Sequence, residues 1–124
     1  MCGRFIHINK TNSIKKKFNI KNYLSEDHIS YNIAPSQISF IITNNKEINL
    51  EKAKWGYSFI DKKTNSEKSV INSRLETIID KILFKDSYYK RKCIIPANGY
   101  FEWSIKEQVK IPYFIHIPLS EPMY

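Results

Sequence analysis

A chain of 124 residues with 42% hydrophobic and 14% aromatic content has apolar mass for one domain with a modest core, which excludes wholesale disorder and predicts a single compact unit. Its formal charge of +8, from 20 basic and 12 acidic residues, favours a polyanionic partner, although all but three of those basic residues are Lys and coding bias produces such an excess as well. No apolar run approaches the roughly eighteen residues of a bilayer span and no secretion leader opens the chain, so the expectation is an intracellular, cytoplasmic protein without membrane contact, its two cysteines reduced.

In chain order, residues 2–8 hold β-branched and aromatic residues and predict a strand. Residues 11–18 predict a short helix capped among Thr11, Asn12 and Ser13, and the polar stretch after it reads as loop. Residues 38–43 and 48–57 predict two strands joined around Asn44, Asn45 and Lys46. Over 76–84, Ile78, Ile79, Ile82 and Leu83 recur at helical spacing, which predicts an amphipathic helix packed by that face. Residues 93–96, 99–104 and 113–117 complete a strand-rich second half, with 107–110 as a polar turn. The class is α+β, with mainly antiparallel strands and short helices. The last strand has no following partner, and such an open edge has to be covered.

Scarce residue types mark where substitution would not serve. The three glycines, Gly3, Gly56 and Gly99, all sit beside aromatic or reactive residues, in Cys2-Gly3-Arg4-Phe5, Trp55-Gly56-Tyr57 and Asn98-Gly99-Tyr100-Phe101-Glu102-Trp103. Both Trp residues fall in these segments, as does one of three Arg. Each alone reads as an ordinary turn; together they point to a site.

Cys2 carries the most chemistry. Methionine ahead of a small residue is normally excised, which leaves an α-amine and a thiol on one residue. Such a 1,2-aminothiol traps aldehydes, because the imine formed by the amine is closed by the adjacent thiol into a thiazolidine, and the second step is intramolecular. An α-amine with a pKa of about 7.8 is roughly a quarter unprotonated near neutral pH, a few hundredfold more than an ordinary lysine. Glu102, between Phe101 and Trp103, is a carboxylate placed to shuttle protons, or else one pointing outward from a half-exposed strand. Asn72 and Arg74 precede the predicted helix, where Asn72 either donates to an adduct or caps the helix and Arg74 is suited to holding a phosphate. Cys93 reads as a buried small apolar residue, and His7, His28 and His116 as ordinary strand or surface histidines.

Together these segments resemble the SOS-response-associated peptidase family, whose members crosslink to abasic sites. The matching pieces are Met1-Cys2-Gly3-Arg4-Phe5, Tyr31-Asn32-Ile33-Ala34-Pro35-Ser36, Trp55-Gly56, Ile71-Asn72-Ser73-Arg74-Leu75-Glu76-Thr77 and Arg91-Lys92-Cys93-Ile94-Ile95-Pro96-Ala97-Asn98-Gly99-Tyr100-Phe101-Glu102-Trp103, in the family's order. The resemblance implies a barrel-like core of antiparallel strands over residues 1–124. It implies Cys2 as the nucleophile that forms the thiazolidine, Asn72 positioning the adduct and Glu102 assisting proton transfer. It also implies Arg4 and Arg74 as phosphate ligands, and Asn32, Pro35, Trp55 and Gly56 along the DNA channel. The partner is then single-stranded DNA carrying abasic sites during the DNA damage response, with no metal and no cofactor, and in a bacterium the protein is nucleoid-associated.

Two departures accompany the match. After Trp55-Gly56 the family commonly has Pro and further aromatics, whereas this chain reads Tyr57-Ser58-Phe59-Ile60. The family's His-x-Arg-Met-Pro motif lies downstream of Phe-Glu-Trp, and none of the three His here matches it. The resemblance therefore implies an N-terminal portion of the domain, truncated at the C-terminus, with the remainder in a missing segment or a second chain. The alternatives are a basic single-strand-binding remnant without full chemistry and an N-terminal-nucleophile amidohydrolase. The latter class also begins Met-Cys-Gly but lacks the Asn-Ser-Arg and Phe-Glu-Trp segments.

Overall fold

A computed structural model describes residues 3–118, so Cys2 lies outside the described residues. The elements run β1 (Arg4–His7), α1 (Thr11–Phe18), β2 (Ser30–Ile33), β3 (Ile38–Asn45), β4 (Glu47–Lys54), β5 (Tyr57–Asp61), β6 (Ser66–Val70), a 3-10 helix (Leu75–Asp80), α2 (Ile82–Lys90), β7 (Gly99–Lys106) and β8 (Val109–Ile115). All strand pairing within the sheets is antiparallel, as the α+β reading expected. The strands form a four-stranded sheet in the order β2-β1-β7-β8 and two separate hairpins, β3-β4 and β5-β6. Among the described residues they do not close into the expected barrel.

The best-buried core lies between α1 and the β3-β4 hairpin. Phe40 and Ile42 alternate onto one face of β3, Leu50 sits opposite Ile42, and all three pack with Ile14 of α1 and with Ile20. The ladder is unbroken from Ile38 opposite Lys54 to Asn45 opposite Glu47, because Lys46 takes a left-handed φ of 70° at the turn. The helix spans the predicted residues but is not capped by them. Lys10 holds the cap position without a side-chain bond, and the Thr11 N–H instead donates to Asp27 Oδ1 at 2.8 Å while Thr11 Oγ1 donates to the Glu26 carbonyl at 2.7 Å. A distant loop thus satisfies the free helix-end donor. Asn19, at φ 50°, ends the helix, with Lys15, Lys16 and Lys17 in its last turn where the dipole favours cations.

The four-stranded sheet is fastened at one end by Asn98, which is 1% exposed. Its N–H donates to the Ile6 carbonyl at 2.9 Å, and its Oδ1 accepts from the Ile8 N–H at 2.8 Å and from Asn9 Nδ2 at 2.9 Å. The next residue has to be glycine: a Cβ on Gly99 would lie 2.5 Å from the Phe114 ring and 2.8 Å from the Ile115 carbonyl oxygen. His7 joins this sheet to the core. It is fully buried, its ring 5.6 Å from Phe40 and 6.4 Å from His28, and among the described residues neither ring nitrogen has a hydrogen-bond partner.

Several sequence expectations need correction. The helix expected over 76–84 is broken at Lys81, whose extended backbone separates the 3-10 helix from α2, and neither piece buries a residue. Ile82 is 96% exposed. Apolar spacing selects a helical face, but a face is buried only where another layer opposes it, and here the support is local, such as Tyr57 packing 6.0 Å from Phe84. Residues 93–96 form an isolated bridge between Ile94 and Ile42 instead of a strand. Cys93 is exposed, not buried. The strand expected over 48–57 stops at Lys54, because Trp55 and Gly56 bend the chain, Gly56 at a φ of 117°. The polar stretch after α1 contains β2, which gains strand structure by pairing with β1. The β7-β8 turn falls within the expected 107–110, with Glu107 and Gln108 both left-handed as a tight hairpin requires.

Candidate nucleic-acid interface

One shallow groove of about 490 Å3 draws side chains from all four strands of the sheet: Tyr31 and Asn32 of β2, Arg4 of β1, Phe101 and Trp103 of β7, and Pro112 of β8. Strand register assembles it. Arg4 lies opposite Phe101, and Trp103 lies opposite Pro112, so a cation and two aromatic rings share one face. Arg4 Nη1 donates to Asn32 Oδ1 at 2.8 Å, which orients the guanidinium. Phe101 packs 5.1 Å from Phe114 and 6.5 Å from Trp103. An oriented cation among exposed aromatic rings suits a phosphate flanked by nucleobases.

The other candidate residues gather across the sheet. The Trp55 ring packs 5.3 Å from Phe5, and its Nε1 donates to the Ile71 carbonyl at 3.3 Å, directly before Asn72. Trp55 also holds the turn that contains Pro35: its carbonyl accepts from the Ser36 N–H at 2.8 Å and its N–H donates to the Gln37 carbonyl at 2.9 Å. Phe5 pairs with Tyr100, so the period of two puts Glu102 on the Phe5 face, away from Arg4. The expected residues therefore fall into two groups about the start of β1: Arg4 with Asn32 on one face, and Pro35, Trp55, Gly56 and the approach to Asn72 beside the face that carries Glu102. Arg74 stands exposed at the start of the 3-10 helix, and among the described residues no hydrogen bond joins its guanidinium to either group.

Tyr31, Phe101, Trp103 and Pro112 line the groove without having been singled out as binding residues. The signal was present: Tyr31 adjoins Asn32, and Phe101 and Trp103 stand two apart on a strand, which places both on one face. The buried His7 is the larger surprise. Burial and then the charge of His28 lower its pKa to about 4, while the Asn9 backbone opposes without meeting either nitrogen in hydrogen-bonding geometry. His7 is therefore neutral near pH 7. Cys93, though exposed, has its thiol pKa raised by desolvation, which disfavours the reactive thiolate. No group of three His, Cys, Asp or Glu side chains suited to a metal occurs among the described residues, nor does a helix long and apolar enough to cross a membrane.

A family model described as SOS response associated peptidase (SRAP) matches residues 1–124. The chain belongs to this family. The SRAP relatives include the abasic site processing protein YoqW of Bacillus subtilis, 38% identical over 127 residues that cover 97% of this chain and 56% of the relative. The abasic site processing protein YobE of the same organism is 37% identical over 127 residues, covering 97% of this chain and 57% of the relative. The chain thus spans about half the length of the curated relatives it matches. A crystal structure of a Bacteroides thetaiotaomicron protein shares the SRAP fold seen here, with a TM-score of 0.75 at 23% identity, covering 94% of this chain and 54% of that one.

Proposed function

We propose that this SRAP chain processes abasic sites in single-stranded DNA by covalent capture through Cys2. The observation that carries the reading is the Arg4–Asn32 pair set among aromatic rings, two residues beyond a cysteine that becomes N-terminal once Met1 is removed. Arg4 and Asn32 receive phosphate and sugar, with Arg74 as a second phosphate ligand from the exposed edge. Pro35, Trp55 and Gly56 shape the channel wall. The abasic sugar opens to its aldehyde, and the Cys2 amine adds to the carbonyl carbon and expels one water to give an imine. The thiol sulfur then adds to the imine carbon, its proton passing to nitrogen, and the five-membered ring closes with no further loss. Asn72 positions the adduct and Glu102 relays the protons. Removal of Met1 by the chain itself is the peptidase activity that the family's name carries, and the DNA damage response is the setting in which such lesions arise.

The test is denaturing electrophoresis after incubation with single-stranded DNA bearing one abasic site, beside undamaged DNA and a Cys2→Ala variant, with intact mass confirming that Met1 is gone. A heat-stable shift that needs both the lesion and Cys2 is expected. Salt-sensitive binding without a stable adduct would instead identify a binding remnant that lacks the chemistry.

A further inference from the structure

The positive charge of the chain is not spread evenly. Residues 10–21, which comprise α1 and its flanks, hold five of the 20 basic residues, Lys10, Lys15, Lys16, Lys17 and Lys21, and none of the 12 acidic ones. The remainder, 15 basic to 12 acidic, is close to balance, so an even coding preference for Lys does not produce this run. Cations suit the C-terminal carbonyls of the helix, but three consecutive lysines with no acidic residue in the first turn also repel one another. Packing fixes where they stand: Ile14 and Ile20 are buried against β3-β4 with Phe18 beside them, so the outer face carries Asn12, Ser13, Lys16 and Lys17, all exposed. Glu47 and Glu51 of the hairpin alternate with Ile48 and Leu50 and belong to its other face. Among the described residues no ion pair joins Lys10, Lys16 or Lys21 to a carboxylate.

Ammonium groups presented without apolar side chains suit a phosphate backbone, and contacts of that kind carry no sequence information. The exposed ring beside them, Tyr23, already carries Lys15 Nζ 3.9 Å from its centroid. With the apolar face of α1 committed to the core, nothing on its outer face would insert into a membrane. We propose that the outer face of α1 is a second nucleic-acid contact, which holds undamaged phosphodiester backbone and keeps the chain on DNA while the groove samples it for lesions. None of its residues lines that groove. This second contact takes its purpose from the reading of the chain as a DNA-capturing protein, but its binding is measured separately, on DNA that has no lesion.

The test follows the fluorescence anisotropy of a labelled, undamaged oligothymidine across a salt series. It compares the chain with two triple variants: Lys10→Gln, Lys16→Gln and Lys21→Gln, and, as a control that removes the same charge elsewhere, Lys62→Gln, Lys63→Gln and Lys85→Gln. All six side chains are exposed, so both variants should melt as the chain does. The α1 substitutions should lower the slope of log affinity against log salt by about 2, each single-strand phosphate contact carrying roughly 0.7, while the control keeps most of the slope. Equal slopes in the two variants overturn the proposal, because binding would then follow net charge and not this face. So does tighter binding to phosphatidylserine vesicles than to the oligothymidine with the same dependence on Lys10, Lys16 and Lys21, since a lipid surface would then be the partner. Undamaged DNA offers no aldehyde, so a failure of capture by Cys2 leaves this result untouched.

Discussion

The α1/β3-β4 unit and the β7-β8 hairpin both carry Ile and Phe at alternating strand positions, yet they end in opposite states. In the first, Phe40, Ile14 and Leu50 are closed off by a helix on one side and a tight ladder on the other. In the second, the pairing is as regular, but among the described residues no layer opposes it. Backbone hydrogen bonding and side-chain burial are therefore separable here: a hairpin can be fully laddered and still contribute little hydrophobic stabilisation.

Mutation sharpens this contrast most. Phe40→Ala should cost about 3–5 kcal/mol in chemical denaturation, the penalty of a cavity in a closed core. Ile105→Ala should change stability by less than about 0.5 kcal/mol. Equal losses at the two positions would show that the hairpin is already buried in solution.

His7 offers the next largest effect, because it lies where the sheet meets the core. Its folded pKa of about 4 is below the ordinary value of 6.5, so between those limits the unfolded chain binds a proton that the folded chain refuses. Stability then falls as pH drops through that window, by on the order of 3 kcal/mol at its acid end. Denaturation midpoints between pH 7.5 and 4 should show this slope, and His7→Leu should flatten it. A slope unchanged in the variant would assign it to other groups.

A smaller loss, about 1–3 kcal/mol, is expected for Asn98→Ala, which leaves the Ile8 N–H without its acceptor. The loss should appear as faster exchange at Ile8 in addition to a lower midpoint. No change at Ile8 would mean that water replaces the amide.

How much of this was legible in the sequence depended on whether the partner of each segment was local. The helix 11–18, the turn near Lys46 and the β7-β8 hairpin were readable, since residue spacing, turn chemistry and alternation lie within a few residues, whereas the helix cap, supplied by Glu26 and Asp27, was not. β2 was not, because polar Ser30, Tyr31 and Asn32 become a strand only through pairing with β1. The apolar spacing of 78–83 was real but overread, as it specifies a face and not what covers it. Of the candidate site, the Arg4–Asn32 pair and the Trp55–Pro35 turn were foreshadowed by motif. The division of those residues between two faces required the register of β1 against β7. His7 is the strand histidine that the sequence suggested, but its burial was not legible, because nothing beside it in sequence announces Phe40 with its ring 5.6 Å away.

The register that joins β1 to β7 has a consequence in time. Arg4 meets Phe101 across more than ninety residues, so closing this ladder costs loop entropy that no local contact offsets. At about 5–20 residues per second, ribosomal synthesis takes roughly 5–20 seconds to reach Phe101. For that interval β1 lacks its inner neighbour, and the groove that Arg4 shares with Phe101 and Trp103 has only its β1 and β2 side. The groove is thus completed only late in synthesis, by topology alone.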